Sequence, residues 1–254
     1  MPAAFAIAAH PDDIEFVMAG TLLLLQRAGW DIHYMNVANG CCGSTVIGRA
    51  ELIEMRRAEA QEACRLAGFT FHDSLANDME VMYDRPTFFR LAAVVREVAP
   101  TVVLTHAPVD YMEDHTNTCR LAVSAAFARG MPNFPCDPPT PAISGDVTVY
   151  HAQPHGNCTP LLEPVRPSHF VDVGSTMDQK TAMLACHRSQ KLWLDQSQGL
   201  DSYLVTMQEL MRGVGRLSGR FEYAEGWRKH LHLGFCAETA DPLAEVLGGQ
   251  CLKV

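Results

Sequence analysis

The first half of the chain alternates short apolar runs with longer segments whose apolar residues recur at helical spacing. The apolar runs predict strands at Ala3 to Ala9, Asp31 to Ala38, Phe69 to His72 and Thr101 to Thr105. The segments between them predict helices at Asp13 to Ala28, Glu51 to Ala67, Thr87 to Glu97 and about Thr116 to Arg129. Because strands and helices that alternate in this way build parallel sheets, we expect an α/β, Rossmann-like fold with a mostly parallel sheet and helices on both faces.

The second half of the chain is less regular. It predicts strands at Val147 to Ala152 and His169 to Val173, and helices at Ser175 to about Leu194 and Tyr203 to Arg212. Five prolines fall in eleven residues from Met131 to Pro141 and predict a surface loop, which is the one place for a domain boundary. A chain of 254 residues with no linker suits one domain, so residues 1–254 are expected to form a single unit.

Charge and hydropathy exclude several classes of partner. The net charge is -9 and no basic run occurs, which argues against binding to nucleic acid or to anionic membranes. The longest apolar runs are far shorter than the roughly 20 residues that cross a bilayer, so no membrane insertion is expected. The segment MPAAFAIAAHPDD lacks the basic flank of a secretory signal, and we expect a cytoplasmic protein.

Nine cysteines are scattered along the chain without the paired spacing of a zinc site. Their odd number does not suit a disulfide framework, so most are expected to be reduced thiols that pack as small apolar groups. The adjacent Cys41 and Cys42 are open to two interpretations, a metal-reactive pair or ordinary loop residues, and the second is favoured.

Polar side chains follow three of the predicted strands. His10 comes directly after the first strand, Asn39 after the second, and His106 after the strand that ends at Thr105. In open parallel sheets, ligands bind beyond the carboxyl ends of the strands, where loops and helix N-termini meet. These three positions therefore predict a ligand site at one edge of the sheet.

The turn after the first strand carries an imidazole and two carboxylates, at His10, Asp12 and Asp13. A helix cap explains one carboxylate, but it requires neither the second carboxylate nor the histidine. A hydrolytic zinc site uses three His or carboxylate ligands and a separate carboxylate that takes a proton from water. His10 and Asp13 are candidate ligands, Asp12 is the candidate base, and His115 is the candidate third ligand.

These residues resemble the LmbE-like or PIG-L family of zinc-dependent sugar N-deacetylases, which includes GlcNAc-PI de-N-acetylases. The family has an AHPDD motif after its first strand, here Ala9 to Asp13, and a second motif that ends in Asp-His, here Asp114-His115. The segments Arg56-Arg57-Ala58-Glu59 and Asn77-Asp78-Met79-Glu80 resemble its arginine-containing helix and its substrate-side carboxylate. The resemblance covers about residues 3 to 130, with a weaker similarity around Lys180 to Gln190.

The resemblance implies a role for each matching residue. His10, Asp13 and His115 are expected to bind zinc, although other divalent transition metals suit the same ligands, and Asp12 is expected to be the general base. Arg56 and Asp78 are expected to face the substrate, although a solvated helix charge and a turn carboxylate remain open as alternatives. Asp114 is expected to orient a neighbouring histidine, as carboxylates behind metal ligands commonly do.

One position departs from the family pattern. The family usually has a histidine three residues before the metal-binding one, where it stabilises the oxyanion, and this chain has Met112 there. A thioether donates no strong hydrogen bond, so either another group supplies the donor or the activity is altered. Candidate donors are His106, Tyr111, His151 and His155.

The function expected from the resemblance is metal-dependent hydrolysis of a linear N-acyl amide, most often N-acetyl, on an amino sugar or sugar conjugate. Two alternatives stay open because of Met112. One is a metal-dependent amidase for a non-sugar or bulkier N-acyl substrate, and the other is a non-catalytic protein that binds metal and sugar. The expected partner is a small molecule, the second half of the chain is expected to form the wall that selects it, and assembly into a homo-oligomer is compatible with the resemblance.

Overall fold

The computed structural model describes residues 1–191, 194 and 203–254. Its eight described strands form one sheet in the order β3-β2-β1-β4-β5-β7-β6-β8. The strands are β1 (Ala3–Ala8), β2 (Asp31–Asn36), β3 (Thr70–His72), β4 (Val102–Thr105), β5 (Thr148–Ala152), β6 (His169–Asp172), β7 (Ala224–Lys229) and β8 (Cys251–Lys253). Strands β1 to β5 pair in parallel, whereas β6, β7 and β8 join by antiparallel pairing. The predicted α/β fold with a mostly parallel sheet is confirmed.

The described helices lie between and after these strands. They are α1 (Asp13–Val17), α2 (Ala19–Arg27), α3 (Arg49–Ala67), α4 (Arg85–Val98), α5 (Glu113–Ala128), α6 (Met177–Leu184), α7 (Tyr203–Ser218) and α8 (Pro242–Leu247). None of the helices in the described part of the chain has the length and the hydropathy of a membrane span.

Two apolar cores lie on opposite faces of the sheet because successive side chains of a strand point in opposite directions. In β1, Ala4 and Ala6 contribute to one core, together with the leucines of α2. Phe5 and Ile7 contribute to the other core, where α4 and α5 cover the sheet. Strand β1 is therefore buried on both faces, as its uninterrupted apolar sequence predicts.

The prediction of one continuous helix from Asp13 to Ala28 is wrong, because the chain forms two helices here with a break between them at Met18. The carboxylate of Glu225, in β7, accepts hydrogen bonds from the amides of Gly20 and Thr21 in the first turn of α2. Lys180 is fully buried and forms an ion pair with the same carboxylate. A tertiary contact thus takes the place of the helical hydrogen bonds that a continuous helix would make at this point.

The predicted helix from Ser175 to about Leu194 is also interrupted. Helix α6 ends at Leu184, residues 185–187 form a turn, and residues 188–191 are helical again. In the turn, the buried ring of His187 places Nε2 at 3.4 Å from a carboxylate oxygen of Glu15. Residues 192 and 193, inside the predicted helix, lie outside the described residues.

Element boundaries elsewhere differ from the predictions mostly by a few residues. Helix α5 begins at Glu113 rather than near Thr116, so that His115 lies in its first turn. The helix predicted to end at Arg212 continues to Ser218. Strands β7 and β8 and helix α8 were not predicted, because none of them has a clear apolar period and β8 and α8 are also short.

Candidate metal and catalytic site

A cavity of about 390 Å³ opens at the carboxyl edge of the parallel strands. His10 follows β1 and His106 follows β4, and both line this cavity. Asn36, the last residue of β2, donates a 2.7 Å hydrogen bond from its side-chain amide to the carbonyl of His10. The sheet thus places the histidine turn at the edge where ligands bind in parallel folds.

His10, Asp13 and His115 converge in this cavity. Each offers a ligand atom, and these atoms all lie within 4.8 Å of one another. Nδ1 of His10 and Nε2 of His115 each lie 3.4 Å from the same oxygen, Oδ2 of Asp13. Two imidazole nitrogens and a carboxylate oxygen in this arrangement suit a divalent transition metal and leave coordination positions for water.

The second nitrogen of each of these histidines faces another carboxylate. Nε2 of His10 lies 3.0 Å from Asp114, and Nδ1 of His115 lies 3.1 Å from Asp110. Such a carboxylate fixes the tautomer and the orientation of a metal-binding imidazole. Asp114 was expected to orient a histidine, whereas Asp110 was missed although it lies only five residues before His115.

The three carboxylates favour positive charge on the histidines. Burial lowers the pKa of His10, but Asp114 and Asp13 outweigh burial and raise that pKa to about 9. Burial likewise opposes the charged form of His115, yet Asp13 and Asp110 raise its pKa to about 10. The negative potential that favours protonation of the two histidines also attracts a metal cation. Both the charge of the site and its donor atoms therefore suit a metal.

Asp12, the predicted base, lies beside these residues in a strained turn. Its φ of 108° is in the left-handed region, which Asp adopts more readily than most residues. The hydroxyl of Tyr203 donates a 2.5 Å hydrogen bond to Oδ2, and a guanidinium nitrogen of Arg56 lies 3.6 Å from the same oxygen. Burial raises the pKa of Asp12 to about 6, although Arg56 and Tyr203 oppose this effect.

Arg56 and Asp78, the predicted substrate-side residues, both line the cavity. The buried guanidinium of Arg56 donates hydrogen bonds to the carbonyl of Pro11 and to the side chain of Gln190. The carboxylate of Asp78 accepts hydrogen bonds from the amides of Gly40 and Cys42. Both side chains therefore hold the walls of the cavity in place, and their contact with a substrate stays a prediction.

The candidate oxyanion donors differ in where they lie. Tyr111 and His155 line the cavity, and neither side chain hydrogen-bonds another described residue. His106 also lines the cavity, but its Nε2 accepts a 2.8 Å hydrogen bond from the amide of Ala9, and its ring stacks on His115 at 4.0 Å. His151 does not line the cavity, and its Nδ1 donates to the carbonyl of His106.

Two residues of the second half that contact predicted site residues were missed. Tyr203 reaches Asp12 across 191 residues of sequence, and Gln190 reaches Arg56 across 134 residues. A tyrosine and a glutamine without a surrounding motif carry no signal of such contacts. The predicted similarity around Lys180 to Gln190 pointed to the right region but assigned no role within it.

Comparison with known proteins gives matches for this chain in both sequence and structure. The family model of the GlcNAc-PI de-N-acetylases, PIG-L, matches residues 5–126. A 4-oxalmesaconate hydratase from Pseudomonas putida is 29% identical over 236 residues, which are 88% of this chain and 87% of that protein. A diacetylchitobiose deacetylase from Thermococcus kodakarensis is 27% identical over 232 residues, 86% of this chain and 79% of that protein.

A solved structure with the same fold is that of a 4-carboxy-2-hydroxymuconate hydratase from Pseudomonas putida, with a TM-score of 0.73 and 27% identity. It covers 95% of this chain and 99% of that one, so the likeness extends well beyond the residues that the family model matches. The cluster around His10, Asp13 and His115 falls inside the matched residues. The match over residues 5–126 confirms the resemblance to the PIG-L, or LmbE-like, family, and the chain's relatives include both deacetylases and a hydratase.

Proposed function

We propose that the protein is a metal-dependent hydrolase of linear N-acyl amides, with N-acetyl groups on amino sugars or their conjugates as the substrate class. The observation that carries the proposal is the convergence of His10, Asp13 and His115 beside the carboxylate of Asp12. A metal-holding set next to a separate carboxylate is the arrangement that activates water. The similarity to a diacetylchitobiose deacetylase supports an N-acetyl sugar as the substrate.

The residues fit a divalent cation, which we take to be zinc from the ligand types. His10, Asp13 and His115 would hold it, and Asp110 and Asp114 would orient the two imidazoles. When bound, such an ion lowers the pKa of a water molecule and withdraws electrons from an acyl carbonyl.

Asp12 moves the proton in this proposal. It accepts a proton from the attacking water as the water oxygen bonds to the acyl carbon, and it then donates that proton to the leaving nitrogen as the C–N bond breaks. Both observed contacts, from Tyr203 and Arg56, fall on Oδ2, so we assign the proton transfer to Oδ1. Because burial raises the pKa of Asp12 to about 6, the carboxyl is suited both to accept and to return a proton near neutral pH.

The oxyanion that forms at the acyl carbonyl oxygen needs a hydrogen-bond donor in place of the histidine that Met112 replaces. We assign this role to Tyr111 or His155, because both line the cavity and neither hydrogen-bonds another described residue. Loss of one such donor typically lowers kcat by about 10² to 10³. Tyr111→Phe and His155→Ala, measured separately, identify the donor by the larger loss in kcat.

Hydration of a double bond is the second candidate function, and the similarity to hydratases in both sequence and structure favours it. The same activated water serves either reaction, so the charge of the cavity wall is the feature that separates them. Among the described lining residues, Arg56 is the one arginine or lysine, and its guanidinium already contacts Pro11 and Gln190. Asp12, Asp13, Asp78 and Asp110 line the same cavity, and this excess of carboxylates favours a neutral amide over a carboxylated substrate.

The deciding experiment incubates zinc-loaded protein with N-acetylhexosamines, N-acetylated disaccharides, other N-acyl amides and unsaturated carboxylic acids. Release of acetate from the sugars supports the proposal, and hydrolysis restricted to the other amides supports a non-sugar amidase. Loss of the double-bond absorbance would instead establish a hydratase, and no turnover with retained sugar binding would establish a binding protein. Asp12→Asn should keep the metal and lose at least about 10²-fold in rate, and unchanged turnover would refute the assigned base.

A further inference from the structure

Two adjacent thiols, Cys41 and Cys42, lie in the loop between β2 and α3, beside the cavity. Cys41 is buried, and Cys42 is exposed and lines the cavity. Their Sγ atoms are 3.8 Å apart. Neither residue belongs to the set formed by His10, Asp13 and His115, and the proposed reaction uses neither thiol.

The distance between the two sulfurs suits a bridging ion better than a disulfide bond. A disulfide requires sulfurs at about 2.05 Å and Cα atoms at about 4.4–6.8 Å, whereas adjacent Cα atoms across a trans peptide are about 3.8 Å apart. A tetrahedral ion with metal–sulfur bonds of about 2.3 Å holds two sulfurs about 3.8 Å from each other. The observed separation of 3.8 Å matches that second arrangement.

Asp78 provides a third donor. Three ligand atoms, one each from Asp78, Cys41 and Cys42, lie within 4.8 Å of one another. The two oxygens of Asp78 accept hydrogen bonds of 2.6 and 2.9 Å from the amides of Gly40 and Cys42. Because a carboxylate has about four acceptor positions, these bonds orient Asp78 and still leave lone pairs for an ion.

Packing against Arg56 fixes the loop that carries the thiols. Gly40 has a φ of 79°, and a Cβ at this position would lie 2.4 Å from Cδ of Arg56. A Cβ at Gly43 would lie 2.7 Å from a guanidinium nitrogen of the same arginine. Arg56 therefore packs closely against the loop on the side of both glycines, and this packing reduces the ordering cost of binding.

We propose that Cys41, Cys42 and Asp78 form a second cation site for a thiophilic divalent ion such as zinc, with one position open to the cavity. On binding, each thiol loses its proton to solvent and two metal–sulfur bonds form, so that one ion displaces two protons. Thiolate ligands distinguish this site from the His10, Asp13 and His115 set, which offers nitrogen and oxygen. The site exists whether or not the protein is an amidase.

The test is a titration of the full-length, reduced, metal-free protein with cobalt(II) under anaerobic conditions. The wild type should bind two equivalents, one of which gives a thiolate-to-cobalt charge-transfer band that zinc abolishes. Cys41→Ser/Cys42→Ser should lose the band and one equivalent, whereas Cys136→Ser, a half-buried thiol in the proline-rich loop, should keep both. His115→Ala should keep the band and lose the other equivalent.

Two results would overturn the proposal. The first is a charge-transfer band that persists in the double serine variant. The second is the loss of all bound cobalt in His115→Ala, compared with the wild type. Asp78→Asn tests the third ligand and should weaken the band-forming site by roughly tenfold or more. Unchanged affinity in that variant would remove Asp78 from the site, and circular dichroism of each variant shows that it remains folded.

Discussion

Replacing Asp110 with asparagine tests whether the carboxylate behind His115 contributes to cation binding. Asp110 is 8% exposed, and its Oδ1 lies 3.1 Å from Nδ1 of His115. Burial acts to raise the pKa of Asp110, but the hydrogen bond and the charge of His115 outweigh it and lower that pKa, so the group is ionised at neutral pH. Asparagine keeps one acceptor oxygen in a side chain of nearly the same size, removes the negative charge and replaces the second oxygen with an NH2 group.

Two opposing effects set how much zinc affinity Asp110→Asn loses. Loss of a carboxylate behind a metal ligand typically weakens metal binding by about 10- to 100-fold, or about 1.4–2.7 kcal/mol. Asp110 also helps to raise the pKa of His115 to about 10, so at neutral pH a proton competes with the cation. Asp110→Asn also lowers the affinity of His115 for this proton, so the proton competes less with zinc. We therefore expect a loss in zinc affinity of about tenfold at pH 7 and closer to a hundredfold at pH 9.

The assay is zinc competition with a chromophoric chelator at both pH values, in the Cys41→Ser/Cys42→Ser background so that one class of site is titrated. Asp31→Asn, at an exposed carboxylate that begins β2, is the matched control and should leave the affinity unchanged. If folded Asp110→Asn binds zinc within twofold of the control at both pH values, the carboxylate has no role in holding the cation.

Three further predictions concern protons and stability. Because carboxylates raise the pKa of His10 to about 9 and of His115 to about 10, zinc displaces protons from both, and its dissociation constant should rise by up to about a hundredfold per unit as pH falls from 8 to 6. If the zinc dissociation constant, measured by the same chelator competition, does not change with pH, the two histidines are not protonated as described. The Tyr203 hydrogen bond lowers the pKa of Asp12, so Tyr203→Phe should move the acidic limb of the kcat/KM profile to higher pH, and an unmoved limb argues against the contact. Lys180→Met leaves Glu225 buried without its cation and should reduce the free energy of unfolding by about 3–5 kcal/mol, seen as a drop in Tm of about 6–20 °C. Recovery of part of that loss in Lys180→Met/Glu225→Gln is expected, and a Tm equal to the wild type in the single variant rules the pair out as a source of stability.

Local patterns predicted the parts of the site that are close together in sequence. The turn that carries His10, Asp12 and Asp13 stands between an apolar strand and a helix, and this context indicated its place on the sheet edge. The partner His115 was predicted from a second motif, and the structure brings its ligand atom within 4.8 Å of those of His10 and Asp13.

Contacts between distant segments account for what could not be predicted. Tyr203 contacts Asp12 from a helix whose own pattern indicates only an apolar face and a polar face. Beside the break at Met18, the amides of Gly20 and Thr21 bond the distant carboxylate of Glu225, a contact that the apolar pattern between Asp13 and Ala28 does not signal. Antiparallel strands β7 and β8 depend on pairing with β6 rather than on any apolar period of their own.

The carboxylate of Glu225 also bears on the order in which the molecule folds. Its hydrogen bonds to Gly20 and Thr21 join residues 205 and 204 positions apart, so the first turn of α2 stays incomplete until β7 has joined the sheet. Contacts of such long sequence separation form slowly because a large loop must close first. We therefore expect the segment that follows His10 to become rigid late in folding, after the parallel strands have already assembled.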